Sequence, residues 1–144
     1  MAQERPCPQD RMVGALLFND GRVLLGHRTT TRAEFPGVWD MVGGHVERHE
    51  SLAGALRREL KEELGVEVFT TSEWWRQVED ESAPVILTIW LVTEWEGAIR
   101  NRAPEEDSEL RWFRRDELGG LVFPHPLYAE LLDAAFDDVG GAPT

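Results

Sequence analysis

The sequence has one cysteine, Cys7, and one lysine, Lys61. A lone cysteine excludes an intramolecular disulfide and any zinc site assembled from several thiolates. No apolar run approaches the roughly 18 residues of a membrane-crossing helix. Positive charge is scarce: 15 Lys and Arg stand against 27 Asp and Glu, a formal net charge of -12. That field repels polyphosphate backbones and anionic lipid, so neither a nucleic-acid polymer nor a membrane is an expected partner. It still allows a small phosphate-bearing ligand held by local cations. There is no internal repeat and no low-complexity tract. The opening ten residues are polar and lack the apolar stretch of a signal peptide, so a cytoplasmic protein is expected. What remains is a chain of 144 residues, 42% apolar and 29% charged, a globular balance with enough length for one core.

The expected organisation is a single domain over residues 11–136, with flexible tails at 1–10 and 137–144. Residues 12–18 form a short apolar run, then Asn19-Asp20-Gly21, then Val23–Leu25, which predicts a hairpin because Asp and Gly tolerate positive φ. Residues 29–37 read as loop and 39–42 as a short strand running into Gly43-Gly44. The spacing predicts a helix over 51–64, with Ser51 as N-cap and Gly65 as the left-handed residue that ends it. Leu52, Ala53, Leu56, Leu60 and Leu64 make its apolar stripe. Residues 66–78 read as a strand, 85–92 as a central strand apolar on both faces, 110–113 as another strand and 126–136 as a second helix. Strands, helix, strands, helix imply an α+β protein, an α/β/α sandwich around a mixed sheet.

One group of carboxylates sits badly for an ordinary surface. Glu59, Glu62 and Glu63 stand at i, i+3 and i+4 beside the apolar stripe. Like charges at that spacing repel by a few tenths of a kcal/mol. They also lie near the helix C-terminus, where the macrodipole disfavours anions. A hard divalent cation would convert the repulsion into coordination. The other reading is a solvated acidic face with Arg57, Arg58 and Lys61 as partners.

The surrounding spacing bears on that choice. Gly44, five residues, Glu50, seven residues, then Arg58-Glu59-Leu60-Lys61-Glu62-Glu63-Leu64-Gly65-Val66 resembles the Nudix box, G-x5-E-x7-R-E-U-x-E-E-x-G-U with U apolar, and every fixed position is filled. Glu34-Phe35-Pro36-Gly37, the opening hairpin, residues 89–97 and residues 110–113 are similar to the layout of MutT-like Nudix proteins. The resemblance implies a Nudix-type sandwich and a pyrophosphohydrolase that cleaves a nucleoside diphosphate linked to another group, with a nucleoside triphosphate foremost. It implies Mg²⁺, with Mn²⁺ as a substitute. Glu59, Glu62 and Glu63 become metal ligands, joined by the carbonyl of Gly43 and by Glu96. Arg58 would orient a carboxylate, and Glu50 would hold the loop–helix junction. Arg28 matches an arginine that reaches substrate phosphate. Trp39 (or Trp90 or Trp95) could stack a base, and His125 lies in a segment that contributes base recognition. The general base stays open among Glu59, Glu62 and an acid from another loop. The remaining acids, including Glu105-Glu106-Asp107 and Asp137-Asp138, read as solvated surface.

Two departures stand out. Val42 occupies the place usually held by Pro before Gly-Gly, and His49 that of Gly before the box Glu. Residues 123–128 contain no Asn, so a reader of oxidised guanine is not supported. The alternatives are hydrolysis of ADP-ribose, a sugar nucleotide or another diphosphate, and a non-catalytic Nudix ligand-binding module. An isomerase of the same fold would need a catalytic Cys, for which Cys7 in the N-terminal tail is poorly placed. A homodimer is a further expectation.

Overall fold

The computed structural model describes residues 10–30, 36–69, 71, 73–80 and 85–140. Cys7, Glu34 and Phe35 lie outside them. Strand β1 (Asp10–Asn19) turns at Asp20 and Gly21, both at positive φ (56° and 73°), into β2 (Arg22–Arg28). The expected hairpin is present, with Asn19 opposite Arg22. Next come β3 (Trp39–Asp40) and β4 (Val42–His45), helix α1 (Leu52–Leu64), β5 (Arg76–Asp80), β6 (Val85–Val92), β7 (Asp107–Arg114), a 3-10 turn over Arg115–Gly120 and helix α2 (Leu127–Gly140). The sheet runs β3-β2-β1-β6-β5, with β4 on β1 and β7 on β2. β1 and β6 are parallel and the other strand pairs antiparallel, so the sheet is mixed as expected.

Alternation along β1 divides the core between two layers. Val13, Ala15 and Leu17 face α1 with Leu56, Leu60, Leu64, Trp90 and Val92. Leu16 and Phe18 face α2 with Leu25, Ile89, Tyr128 and Leu132. β6 is central and buried on both faces because each face has its own helix.

α1 is capped at both ends as the sequence predicts: Ser51 Oγ accepts the Gly54 N–H at 2.9 Å, and Gly65 (φ 78°) donates to the Lys61 carbonyl. Just before α1, His49 has φ 68°. Left-handed backbone costs a side-chain-bearing residue about 1–2 kcal/mol, which explains the usual Gly there. His49→Gly is therefore expected to raise stability by about 0.5–1 kcal/mol after glycine's unfolded-state entropy is deducted, read as a higher urea midpoint.

Three expectations are corrected. Among the described residues of the strand expected over 66–78, only 76–78 lie in a strand, the start of β5, while Val66 and Val68 are buried under α1 and Glu67 makes an isolated bridge to Glu96. Burying those two valines takes the segment away from the sheet edge. The second correction is α2, which runs through residues 137–140, placed in the C-terminal tail above. Arg115 holds Asp133 at 2.6 Å and Asp137 at 2.9 Å, and the Trp75 indole N–H donates to Asp138. These partners hold acids in a last turn that the helix dipole disfavours. Third, Asp10 belongs to β1 rather than to a tail, opposite Val85. No helix of the described residues is long and apolar enough to cross a membrane.

Candidate active site

Arg58 is the hub. Its Nε and Nη2 donate to Glu50 Oε2 (2.6 Å) and Oε1 (3.0 Å), a bidentate fork. Nη2 also donates to the His45 carbonyl (3.0 Å), and Nη1 to Glu59 Oε2 (3.0 Å) and Glu62 Oε1 (3.4 Å). Glu50 Oε1 accepts the Glu47 N–H at 2.9 Å. One guanidinium thus ties the loop after β4 to the face of α1. Its hydrogen bonds hold the Glu50 carboxyl below the usual carboxylate range, with help from the Glu47 N–H. In return they raise Arg58 above its ordinary value.

The three carboxylates of α1 divide. Glu59 and Glu63 are buried, while the Glu62 side chain is 60% exposed. Burial, then the hydrogen bond and charge of Glu59, then Glu106 and Asp107, push the Glu63 carboxyl up to about 11. Two adjacent buried acids keep a proton where a cation would otherwise neutralise them. Among the described residues, no three His, Asp or Glu side chains converge into a ready cage. Glu59 is turned to Arg58, and Glu62 to solvent.

The fit to a hard cation rests on the glycines opposite. A Cβ at Gly44 would land on the Glu59 carboxylate, and one at Gly43 on the Val13 carbonyl. The bare backbone of Gly44 lets the Glu59 carboxylate, the donor type that a hard divalent cation prefers, lie directly against β4.

Glu59, Glu63, Gly43 and Gly44 line one side of a cavity of about 620 Å³ that reaches across to α2. Among the described residues, six carboxylates line it: Asp10, Asp40, Glu59, Glu63, Glu106 and Asp107. Arg28 is the one Lys or Arg among its described lining residues. Arg28 Nη1 lies 3.4 Å from Asp40 Oδ2. His125 also lines the cavity; its carbonyl and Nδ1 accept the N–H groups of Tyr128 and Leu127, capping α2.

Other expected residues lie elsewhere. Glu96 is exposed, and its backbone pairs with Glu67 away from the cavity. Trp39 packs against His27 (4.7 Å between ring centres), Phe113 (5.0 Å) and the Arg111 guanidinium, outside the cavity lining. Trp90 is buried beneath α1, its indole N–H donating to the Thr71 carbonyl. Trp95 stacks on Trp112.

Residues read as surface or passed over enter instead. Glu106, at the end of the loop before β7, and Asp107, the first residue of β7, face Glu63. That loop is tied to α1, because Arg100 and Arg102 N–H groups donate to the Leu64 and Glu63 carbonyls. Gly26 makes room for the Asp107 carboxylate, which a Cβ there would strike. Asp40 and Tyr128 meet at 2.6 Å. In the sequence, the sign of Asp40 is one acid between Trp39 and Met41; Glu106 and Asp107 give none, since their neighbours are equally acidic.

The NUDIX domain model matches residues 8–134. The chain is 33% identical over 126 residues to a CTP pyrophosphohydrolase of Escherichia coli (strain K12), covering 85% of this chain and 88% of that one. It is 31% identical over 123 residues to a nucleoside triphosphatase NudI of Enterobacter sp. (strain 638), covering 78% and 87%. The crystal structure of a MutT NUDIX hydrolase from Burkholderia pseudomallei superposes with a TM-score of 0.70 at 28% identity, over 90% of this chain and 97% of that one. With the carboxylate helix and its glycine cradle inside the matched span, this chain belongs to the NUDIX domain family and is a Nudix hydrolase.

Proposed function

We propose that the protein is a Mg²⁺-dependent pyrophosphohydrolase of nucleoside triphosphates, with Mn²⁺ as a substitute. The observation that carries this reading is the cavity itself: its described lining, six carboxylate residues and one arginine, would repel a polyphosphate unless a cation offset that charge. Nudix hydrolases generally use divalent metals. Relatives named for CTP and for nucleoside triphosphates support the substrate class.

Glu59 and Glu63 would hold the ion, with Glu62 swinging in from its exposed position and the Gly43 carbonyl adding an oxygen. The ion supplies neutralisation of the phosphate oxygens and a lowered pKa for the attacking water. Arg58 and Glu50 fix the orientation of Glu59 and the loop, and Arg28 pairs with a substrate phosphate. A water oxygen bonds to phosphorus, the bridging P–O bond breaks and pyrophosphate leaves. The water's proton passes to a cavity carboxylate; Glu106 and Asp107, facing α1 across the cavity, are the residues we assign to this. A cytoplasmic setting and a homodimer belong to the same reading as expectations from the sequence.

The test is a panel of nucleoside triphosphates, ADP-ribose and sugar nucleotides with Mg²⁺, Mn²⁺ or chelator, with pyrophosphate and monophosphate quantified. Metal-dependent pyrophosphate release from triphosphates is expected. Hydrolysis confined to ADP-ribose or sugar nucleotides would move the substrate class, and no hydrolysis of any member would leave a binding module.

A further inference from the structure

The α2 side of the cavity differs from the α1 side. Its walls include Met41, Pro124, Leu127 and Leu131, apolar surface suited to a flat heterocycle. Asp40 lies among them. Tyr128 is buried, and its phenol donates to Asp40 Oδ1 at 2.6 Å. The Met41 N–H donates to the same oxygen at 2.7 Å, and Arg28 Nη1 lies 3.4 Å from Oδ2. Strand, helix and arginine together hold this carboxylate in one orientation at the cavity wall. Burial, then the Asp40 charge, pushes the Tyr128 phenol above its ordinary value, so it stays a donor.

We propose that Asp40 selects the nucleobase by accepting a hydrogen bond from an exocyclic amino group, and that Tyr128 positions its carboxylate for this. The proposal rests on the nucleotide reading above and deepens it. A carboxylate offers lone pairs only. An amino group gives it a proton. A keto oxygen at the same place sets lone pair against a carboxylate lone pair, a repulsion that a partly dry site strengthens and that leaves the keto oxygen without a donor, which is how polar sites reject near-isosteres. Cytosine and uracil differ in this way at one ring position, as do adenine and hypoxanthine.

The experiment measures binding, so that it does not depend on turnover. Non-hydrolysable α,β-imido triphosphates of cytidine, uridine, adenosine and inosine are titrated into the full-length protein with Mg²⁺ by calorimetry. In at least one pair the amino-bearing base is expected to bind about 10–100-fold tighter, the scale of one hydrogen-bond readout. Asp40→Asn, whose amide can also donate, should collapse that ratio to within about threefold. Tyr128→Phe should lower the ratio, mainly by weakening the amino-bearing ligand, while a purely structural tyrosine would weaken both members alike. Equal affinity within both pairs for the wild type overturns the proposal, as does an unchanged ratio in Asp40→Asn. If Asp40→Asn does not fold, the ratios of the wild type and Tyr128→Phe decide. The hydrolysis panel reports separately on the pyrophosphohydrolase reading: discrimination in binding without turnover sinks that reading and keeps this one.

Discussion

Glu63→Gln is expected to lower metal-dependent kcat by about 10³-fold, the scale of removing a group that stabilises transition-state charge, while leaving the fold intact. The amide matches the carboxyl in shape, so the packing under α1 is preserved. The variant also has a stability signature. Glu63 titrates near 4.5 as a free carboxyl and is pushed to about 11 in the folded, metal-free protein. Folding therefore favours its protonated form. That contribution is complete below about pH 4.5 and is lost progressively as pH rises toward 11. Glutamine carries no such proton, so in chelator the melting temperature of the variant should fall less between about pH 6 and 9 than that of the wild type. The wild type should gain melting temperature on adding Mg²⁺, more at the higher pH because the ion must displace the proton. The variant should gain little. Full activity in Glu63→Gln would remove Glu63 from the metal site.

Gly43→Ala and Gly44→Ala should separate the fold from the ion, although the two glycines are adjacent. A Cβ at Gly43 strikes the Val13 carbonyl and Gly14 Cα, which are backbone of the central strand and cannot swing aside. β4 would have to leave β1, so Gly43→Ala is expected to cost about 2–4 kcal/mol, somewhat beyond ordinary overpacking, read as a lower urea midpoint. A Cβ at Gly44 strikes only the Glu59 carboxylate, the far end of a side chain. Gly44→Ala should therefore fold with a near-normal midpoint, yet lose at least about tenfold in metal affinity, the scale of disturbing a ligand's orientation. Equal stability for the two variants would overturn this division.

Both results depend on residues that the Nudix spacing already marks. Spacing along one helix is rigid, so Glu59 and Glu63 share a face whatever surrounds them. The loop–helix junction was legible for a similar reason: Arg58 and Glu50 lie eight residues apart, and their fork forms within one local motif. Reasoning from the sequence missed Glu106 and Asp107 because they are 43 and 44 residues beyond Glu63 (106 − 63 and 107 − 63) in an acidic stretch that looks solvated. They reach Glu63 because Arg100 and Arg102 tie their loop to the end of α1. Glu96 is the opposite case, a residue expected at the site that does not line the cavity. It sits at the end of the long apolar segment, but the burial of Val66 and Val68 draws the chain into a bridge between Glu67 and Glu96 outside the cavity.

The two residues of β3 show where local reading ends. Trp39 and Asp40 are neighbours on a two-residue strand, so their side chains take opposite faces. Which face meets the cavity depends on the pairing of β3 with β2 and on where α2 docks. The sequence by itself determined the capped carboxylate helix, the turn at Asp20-Gly21, the two-faced central strand and the Nudix family, because each is carried by short-range spacing or by backbone chemistry. Only the tertiary structure decided that Glu62 is exposed, that Glu106 and Asp107 line the cavity while Glu96 does not, and that Asp40 rather than Trp39 lines it. Those outcomes follow from contacts between segments far apart in the chain, such as Tyr128 with Asp40 across 88 residues, which packing selects and local spacing does not encode.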